Sequence, residues 1–287
     1  MTELCGLNLR HPVINASGCF DALAAALVFG LSLRDAFPFS AYVSKTITLG
    51  ARDGNPPPRL WEAAAGMVNS IGLPNRGLSA YLDADLPLLA DLLPVPLITN
   101  VMGSTADEFE ELVGALEDHA AIAAIELNVS CPNVATGLDI GADPAELQAL
   151  LERVRARSTK PLIVKLTPNT ADVAACAAGA EAGGADAVSL INTLRARALA
   201  PGSAEPWLGG GNGGLSGPAI RAVALAQVAS VAARVEIPIV GMGGIASAAD
   251  ARAMLDAGAT VVAVGTECFR DPAAAARIAA ELQAGFS

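Results

Sequence analysis

Eight short apolar runs separated by helical stretches predict an α/β chain folded as a (β/α)8 TIM barrel. Three of the runs open alike: Pro96-Leu-Ile-Thr-Asn, Pro161-Leu-Ile-Val-Lys and Pro238-Ile-Val-Gly. That internal repeat favours a closed barrel over an open doubly wound sheet. A third observation is the placing of two long Gly- and Pro-rich inserts, residues 49–80 and 199–217, each after a strand's C-terminal end, where barrel sites lie.

Composition agrees with one barrel domain over residues 1–287. Hydrophobic residues make up 53% and charged residues 16%, enough for a large core. A net charge of −11 argues against nucleic acid as a partner, because phosphate neutralisation needs a basic surface. The five cysteines are scattered and form no CxxC pair, so no metal site is expected and a cytoplasmic location fits. No signal peptide or spanning run is visible, so no membrane association is expected.

In chain order, Thr2 to Leu9 alternates about Gly6 and reads as a short N-terminal hairpin plugging one end of the barrel. The run from Pro12 to Gly18 is a strand ending in Ala16-Ser17-Gly18, small residues that let a flat ligand approach the backbone or simply make a turn. Further strands are expected over 41–48, 97–103, 124–130, 162–167, 187–192, 237–243 and 260–266. The inserts read as walls or lids over the C-terminal mouth, the second alternatively as a surface excursion.

Lysine usage is the clearest chemical clue. Of 18 basic residues only Lys45, Lys160 and Lys165 are lysine, and Lys45 and Lys165 both sit inside apolar β runs. One such lysine would read as an inward charge paired with an acid such as Glu126. Two point to an anionic ligand that needs a compact ammonium. The run Glu126-Leu-Asn-Val-Ser-Cys-Pro-Asn133 carries Asn128 and Ser130 on one face and sets Cys131 just past the strand end. Cys131 is either a buried core thiol or, beside Asn and Ser, a reacting group. Gly243-Gly244 after one strand and Gly265-Thr266 after the next form a phosphate subsite of the kind barrels build late in the chain. His11 and His119 precede strands, at the wrong end of a barrel, which leaves Cys131 as the candidate for proton transfer.

Together these motifs resemble dihydroorotate dehydrogenase. The match runs through Asn15-Ala-Ser-Gly, Ser44-Lys-Thr-Ile-Thr, Asn69-Ser-Ile-Gly-Leu, Glu126-Leu-Asn-Val-Ser-Cys-Pro-Asn, Ile163-Val-Lys-Leu, Leu190-Ile-Asn-Thr, Gly214-Leu-Ser-Gly-Pro, Gly241-Met-Gly-Gly-Ile and Val264-Gly-Thr. A cysteine in the Ser-Cys-Pro-Asn string resembles class 1, and the Gly214 segment with the short chain resembles the class 1B catalytic subunit. The resemblance implies FMN, held by Ser17, Lys45, Thr46, Asn100, Asn128, Lys165, Ile191, Gly217, Gly243, Gly244, Gly265 and Thr266. It implies dihydroorotate held by Lys45, Asn69, Ser70, Ile71, Gly72, Leu73, Asn128, Asn192 and Thr193, with Cys131 as the base. It also implies a homodimer, or a heterotetramer with a subunit carrying FAD and a [2Fe–2S] cluster that passes electrons to NAD. The alternatives are a dihydropyrimidine dehydrogenase-like barrel and a flavin-binding subunit without turnover of its own. The segment Arg195 to Trp207 departs from the family pattern, so the lid lies outside the resemblance.

Overall fold

A computed structural model describes residues 1–30, 32–129 and 140–285. Strands β1 (Thr2–Leu4) and β2 (Leu7–Leu9) pair antiparallel around Cys5-Gly6, whose φ values of 50° and 79° are those of a primed two-residue turn. Leu4 and Leu9 are buried in the barrel interior with Ile14, Val43, Ile98 and Ile163. Each contributes roughly 1.5–3 kcal/mol of apolar burial. The Cys5 thiol donates to the carbonyl of Asp186, just ahead of a barrel strand. The hairpin therefore plugs the N-terminal end of the barrel, as its sequence predicts.

The strands that follow are β3 (Val13–Asn15), β4 (Tyr42–Val43), β5 (Leu60–Ala63), β6 (Gly66–Asn69), β7 (Leu97–Val101), β8 (Ile122–Asn128), β9 (Leu162–Lys165), β10 (Ala187–Leu190), β11 (Leu194–Ala196), β12 (Gly213–Ser216), β13 (Ile239–Met242) and β14 (Val261–Val264). Eight of them form one parallel sheet in the order β3-β14-β13-β10-β9-β8-β7-β4. The eight expected strands are all present, and helices connect them. The helix Ala106–Glu117 shows why these connections form where they do. Thr105 caps it by accepting from the Glu108 N–H, and Glu108 reaches back to the Ser104 N–H at 2.7 Å. Phe109, Leu112, Val113 and Leu116 then recur at helical spacing and bury one face against the barrel.

The ends of the sheet, β3 and β4, meet through the Asn15 side chain and one bond from the Ser40 N–H to the Val13 carbonyl rather than a full ladder. Asn15 Oδ1 accepts from the Val43 N–H at 2.8 Å and its Nδ2 donates to the Val43 carbonyl at 2.7 Å. A buried amide so mimics the two bonds of a strand neighbour and closes the barrel.

Strand β4 is two residues long where eight were expected, and the physical reason is a bulge. The Ser44 N–H bonds the Ile98 carbonyl and the Ile47 N–H bonds the Asn100 carbonyl, so three steps on one strand span two on the other. The extra residue ejects Lys45 and Thr46 from the ladder, a common device at barrel rims.

The two inserts are not separate loops. β5 and β6 come from the first, β11 and β12 from the second and its approach, and they pair antiparallel in the order β11-β12-β6-β5 over the C-terminal mouth. Trp61 and Trp207 stack edge to face across them at 5.3 Å. Among the described residues no helix is long and apolar enough to cross a membrane.

Candidate active site

A cavity of about 480 Å³ opens at the C-terminal mouth, between the barrel strand ends and the insert sheet. That size is within the range of small-molecule and cofactor sites. Its barrel side is built from residues at or just beyond strand ends: Ser17 after β3, Lys45 and Thr46 on the bulge after β4, Asn128 ending β8 and Lys165 ending β9. Ile191, Asn192 and Thr193 follow β10, Gly243 and Gly244 follow β13, and Gly265 and Thr266 follow β14. The insert side supplies Asn69, Ile71, Gly72, Leu73 and Gly217. The structure thus brings together most of the residues singled out in sequence.

Lys165 is buried, at 6% exposure, and among the described residues its side chain makes neither an ion pair nor a hydrogen bond. A buried ammonium without a direct ion-pair partner costs several kcal/mol. The structural alternative of pairing with Glu126 does not hold: among the described residues the two form no salt bridge, and the Glu126 oxygens accept instead from Asn100 Nδ2 at 2.5 Å and Ser189 Oγ at 2.8 Å. Lys165 is therefore poised for an anionic ligand. Lys45 stands in the open mouth, and desolvation by the cavity walls lowers its pKa, with Asp21 opposing and Arg59 adding to the effect.

The glycine-lined corner is close-packed. A Cβ on Gly244 would lie 2.7 Å from the Arg221 Cβ and 2.9 Å from the Gly217 carbonyl, and Gly244 has φ of 74°. Only glycine lets the turn after β13 come this near the turn before the 218–220 helix. Thr266 Oγ1 donates to Ser216 Oγ at 2.8 Å, joining the β14 end to the insert sheet. Ser17 Oγ donates to the Ser44 carbonyl at 2.8 Å, which ties the first strand's small-residue end to the bulge.

Two expected contact residues lie behind the lining. Asn100 is fully buried on β7, oriented by its bond to Glu126, and among the described residues its Oδ1 has no hydrogen-bond partner. An unsatisfied buried acceptor costs about 1–3 kcal/mol. Ser70 is buried too, its hydroxyl accepting from Asn55 Nδ2 at 2.8 Å. Cys131 and Ser130 lie outside the described residues.

Sequence reasoning missed several parts. Leu73 takes φ of 55°, a left-handed conformation costing a non-glycine residue about 1–2 kcal/mol. Asn75 braces that turn: its Oδ1 accepts from the Gly77 N–H at 2.9 Å and its Nδ2 donates to the Leu73 carbonyl at 2.9 Å. Asn75 stands in an Asn-rich stretch, which is the signal that could have found it. Cys19 lines the cavity, and burial pushes its thiol up to about 11 although Lys165 pulls the other way. Burial likewise raises Cys5 and Cys268 to about 12, and Cys176 is also raised. None of the four described thiols is set up to act as a thiolate. His11 accepts from the Val13 N–H ahead of β3, and His119 lies ahead of β8, so both histidines sit at the end of the barrel away from the cavity.

The donor set suits a flavin mononucleotide. Two ammonium groups in no salt bridge among the described residues answer an anion, the Gly-rich corner admits a phosphate, and Asn128 and Thr46 offer polar contacts to a planar ring.

The model of the dihydroorotate dehydrogenase family matches residues 1–286. The chain is 44% identical over 284 residues to the dihydroorotate dehydrogenase B (NAD(+)) catalytic subunit of Desulforudis audaxviator, covering 98% of this chain and 90% of that protein. It is also 44% identical over 282 residues to a putative dihydroorotate dehydrogenase A (fumarate) of Solibacter usitatus, covering 98% and 91%. A B-type catalytic subunit of Citrifermentans bemidjiense is 42% identical over 284 residues, covering 98% and 90%.

Proposed function

The chain belongs to the dihydroorotate dehydrogenase family, and from that premise we propose that it oxidises (S)-dihydroorotate to orotate in pyrimidine biosynthesis, as one FMN-binding barrel domain. The observation that carries the reading is the pair of lysines Lys45 and Lys165, neither in a salt bridge among the described residues, in one cavity with Asn128. FMN, when bound, supplies the acceptor for the hydride leaving C6 of the substrate.

The chain's own residues do the rest. Lys45 offsets the substrate carboxylate at the mouth, where its desolvated ammonium gains most from an anion. Asn69, Asn128, Asn192 and Thr193 meet the amide groups of a flat ring with matched donors and acceptors. The insert sheet covers the ring and excludes water. Cys131 removes the C5 proton; its support is the family motif, together with the raised pKa of every described thiol and the remoteness of both histidines. Lys165 stabilises negative charge developing on the cofactor during hydride transfer. The name catalytic subunit carried by the B-type relatives supports a partner subunit; the family resemblance gives that partner FAD and a [2Fe–2S] cluster, with this chain a homodimer or part of a heterotetramer.

The test is the visible spectrum of the purified protein under anaerobic conditions. It should be yellow, release FMN and not FAD, and bleach on addition of dihydroorotate. Bleaching by dihydrouracil in its place would favour a dihydropyrimidine dehydrogenase-like activity, and protein that stays colourless in excess FMN would defeat the reading.

A further inference from the structure

Among the described residues Glu126 and Lys165 are the only charged side chains in the fully buried class, at 3% and 6% exposure. They stand on neighbouring strands, near the cavity end of the barrel interior. Ala124 and Ile163 belong to the interior cluster, so the period of two turns Glu126 and Lys165 inward as well. Opposite charges this close and this dry would ordinarily pair. They do not. Asn100 and Ser189, both with no exposed surface, take the two oxygens of Glu126. Asn100 accepts an orphaned Oδ1 to do so, because a carboxylate can only accept and so fixes which way the amide faces. Ser189 is also the register partner of Lys165 across β9 and β10. The network is thus wrapped around the lysine without engaging it.

We infer that Glu126 is a positioning residue that sets the electrostatic floor of the cofactor site, its charge counterbalancing Lys165 and holding down the reduction potential of the bound flavin. The inference rests on the flavin reading given above. Reduction would add electron density to a flavin held in this cavity. Lys165 favours that gain and the buried carboxylate opposes it, in surroundings where charges interact more strongly than in water. Tying Glu126 to Asn100 and Ser189 leaves the lysine free for its ligand while the opposing charge stays at fixed range.

Glu126→Gln tests this on the FMN-loaded protein. Its amide oxygen can accept from Asn100 and its amide nitrogen can donate to Ser189, so the bonds survive and only the charge is lost. Equilibrium titration against a dye of known potential should show the variant's flavin easier to reduce by roughly tenfold, about 30 mV for a two-electron couple. Glu126→Asp keeps the charge and should stay near the native potential. A purely structural Glu126 would lower the melting temperature of both variants and leave both potentials within about twofold of native, which overturns the inference. Should Glu126→Gln fail to fold, Ser189→Ala carries the test: stripping a donor from the carboxylate should make the flavin harder to reduce, and an unchanged potential overturns the inference. Native protein that binds no flavin would overturn the functional reading and this inference together, whereas native-like potentials in loaded variants overturn this one alone.

Discussion

Cys131 and Lys45 act at different moments of the proposed reaction, so their variants should separate cleanly. Replacing Cys131 with Ala removes the proposed base and leaves the expected FMN contacts in place. That variant should stay yellow and bind orotate, yet reduce its flavin with dihydroorotate about 10²–10⁴-fold more slowly in stopped flow, the usual worth of a general base. A loss of only about threefold per bound FMN would make Cys131 a packing residue, since it falls well short of the ~10² minimum. Lys45 should show itself in pH dependence. Its pKa lies below the ordinary 10.5 because desolvation disfavours the charged form, so its charge is lost at a lower pH than for a free lysine. KM for dihydroorotate should therefore climb in the alkaline range before 10.5 is reached. Lys45→Met should have a high KM throughout that no longer responds to pH there. A native KM that stays flat through that range would separate Lys45 from the substrate carboxylate.

Elements were legible in the sequence where burial on both faces makes a strand a continuous apolar run, as in Leu162-Ile-Val-Lys165 or Val261-Val-Ala-Val264. Helices were placed by the intervals between those runs. What stayed hidden depends on contacts between distant residues. The insert sheet pairs Gly214 with Asn69, and neither strand is apolar, alternating or longer than four residues. The bulge that turns Lys45 and Thr46 into the cavity is a register mismatch with β7, invisible from β4 alone. The role of Asn15 was likewise beyond reach: the sequence shows a polar residue in a strand, and only closure reveals that it replaces a ladder. Asn15→Ala should leave the Val43 N–H and carbonyl without partners in a dry seam. The expected cost is at least the ~1–3 kcal/mol of one unsatisfied buried group, read as a lower urea midpoint with an unchanged slope. Asn15→Asp can accept from the Val43 N–H but cannot donate to the carbonyl, so it should not recover native stability. A native midpoint for the Ala variant would mean that the seam is held by packing.

For the molecule as a whole, the open question is where the electrons go. The relatives do not choose: one called a B-type (NAD(+)) catalytic subunit and one called a putative A-type (fumarate) enzyme are each 44% identical to this chain. Physical reasoning separates the two acceptors better than identity does. A dinucleotide needs a Gly-rich turn between strand and helix with an acid downstream, and an iron–sulfur cluster needs closely spaced cysteines. The sequence has no CxxC pair, and its G-x-G-x-x-G run, Gly209 to Gly214, leads into strand β12 and does not join a strand to a helix. Its glycine-lined corner, at Gly243-Gly244 and Gly265-Thr266, reads as a single phosphate subsite. The isolated chain should therefore reduce its own FMN with dihydroorotate but pass almost nothing to NAD. Adding an electron-transfer subunit with FAD and a [2Fe–2S] cluster should restore NAD reduction in steady state, and the two should co-elute on gel filtration. Rapid multiple turnover of the chain alone with fumarate would sink the B-type assignment and place the acceptor in the same cavity as the substrate. Efficient NAD reduction without a partner would contradict both assignments, because it requires a dinucleotide site that the sequence does not carry.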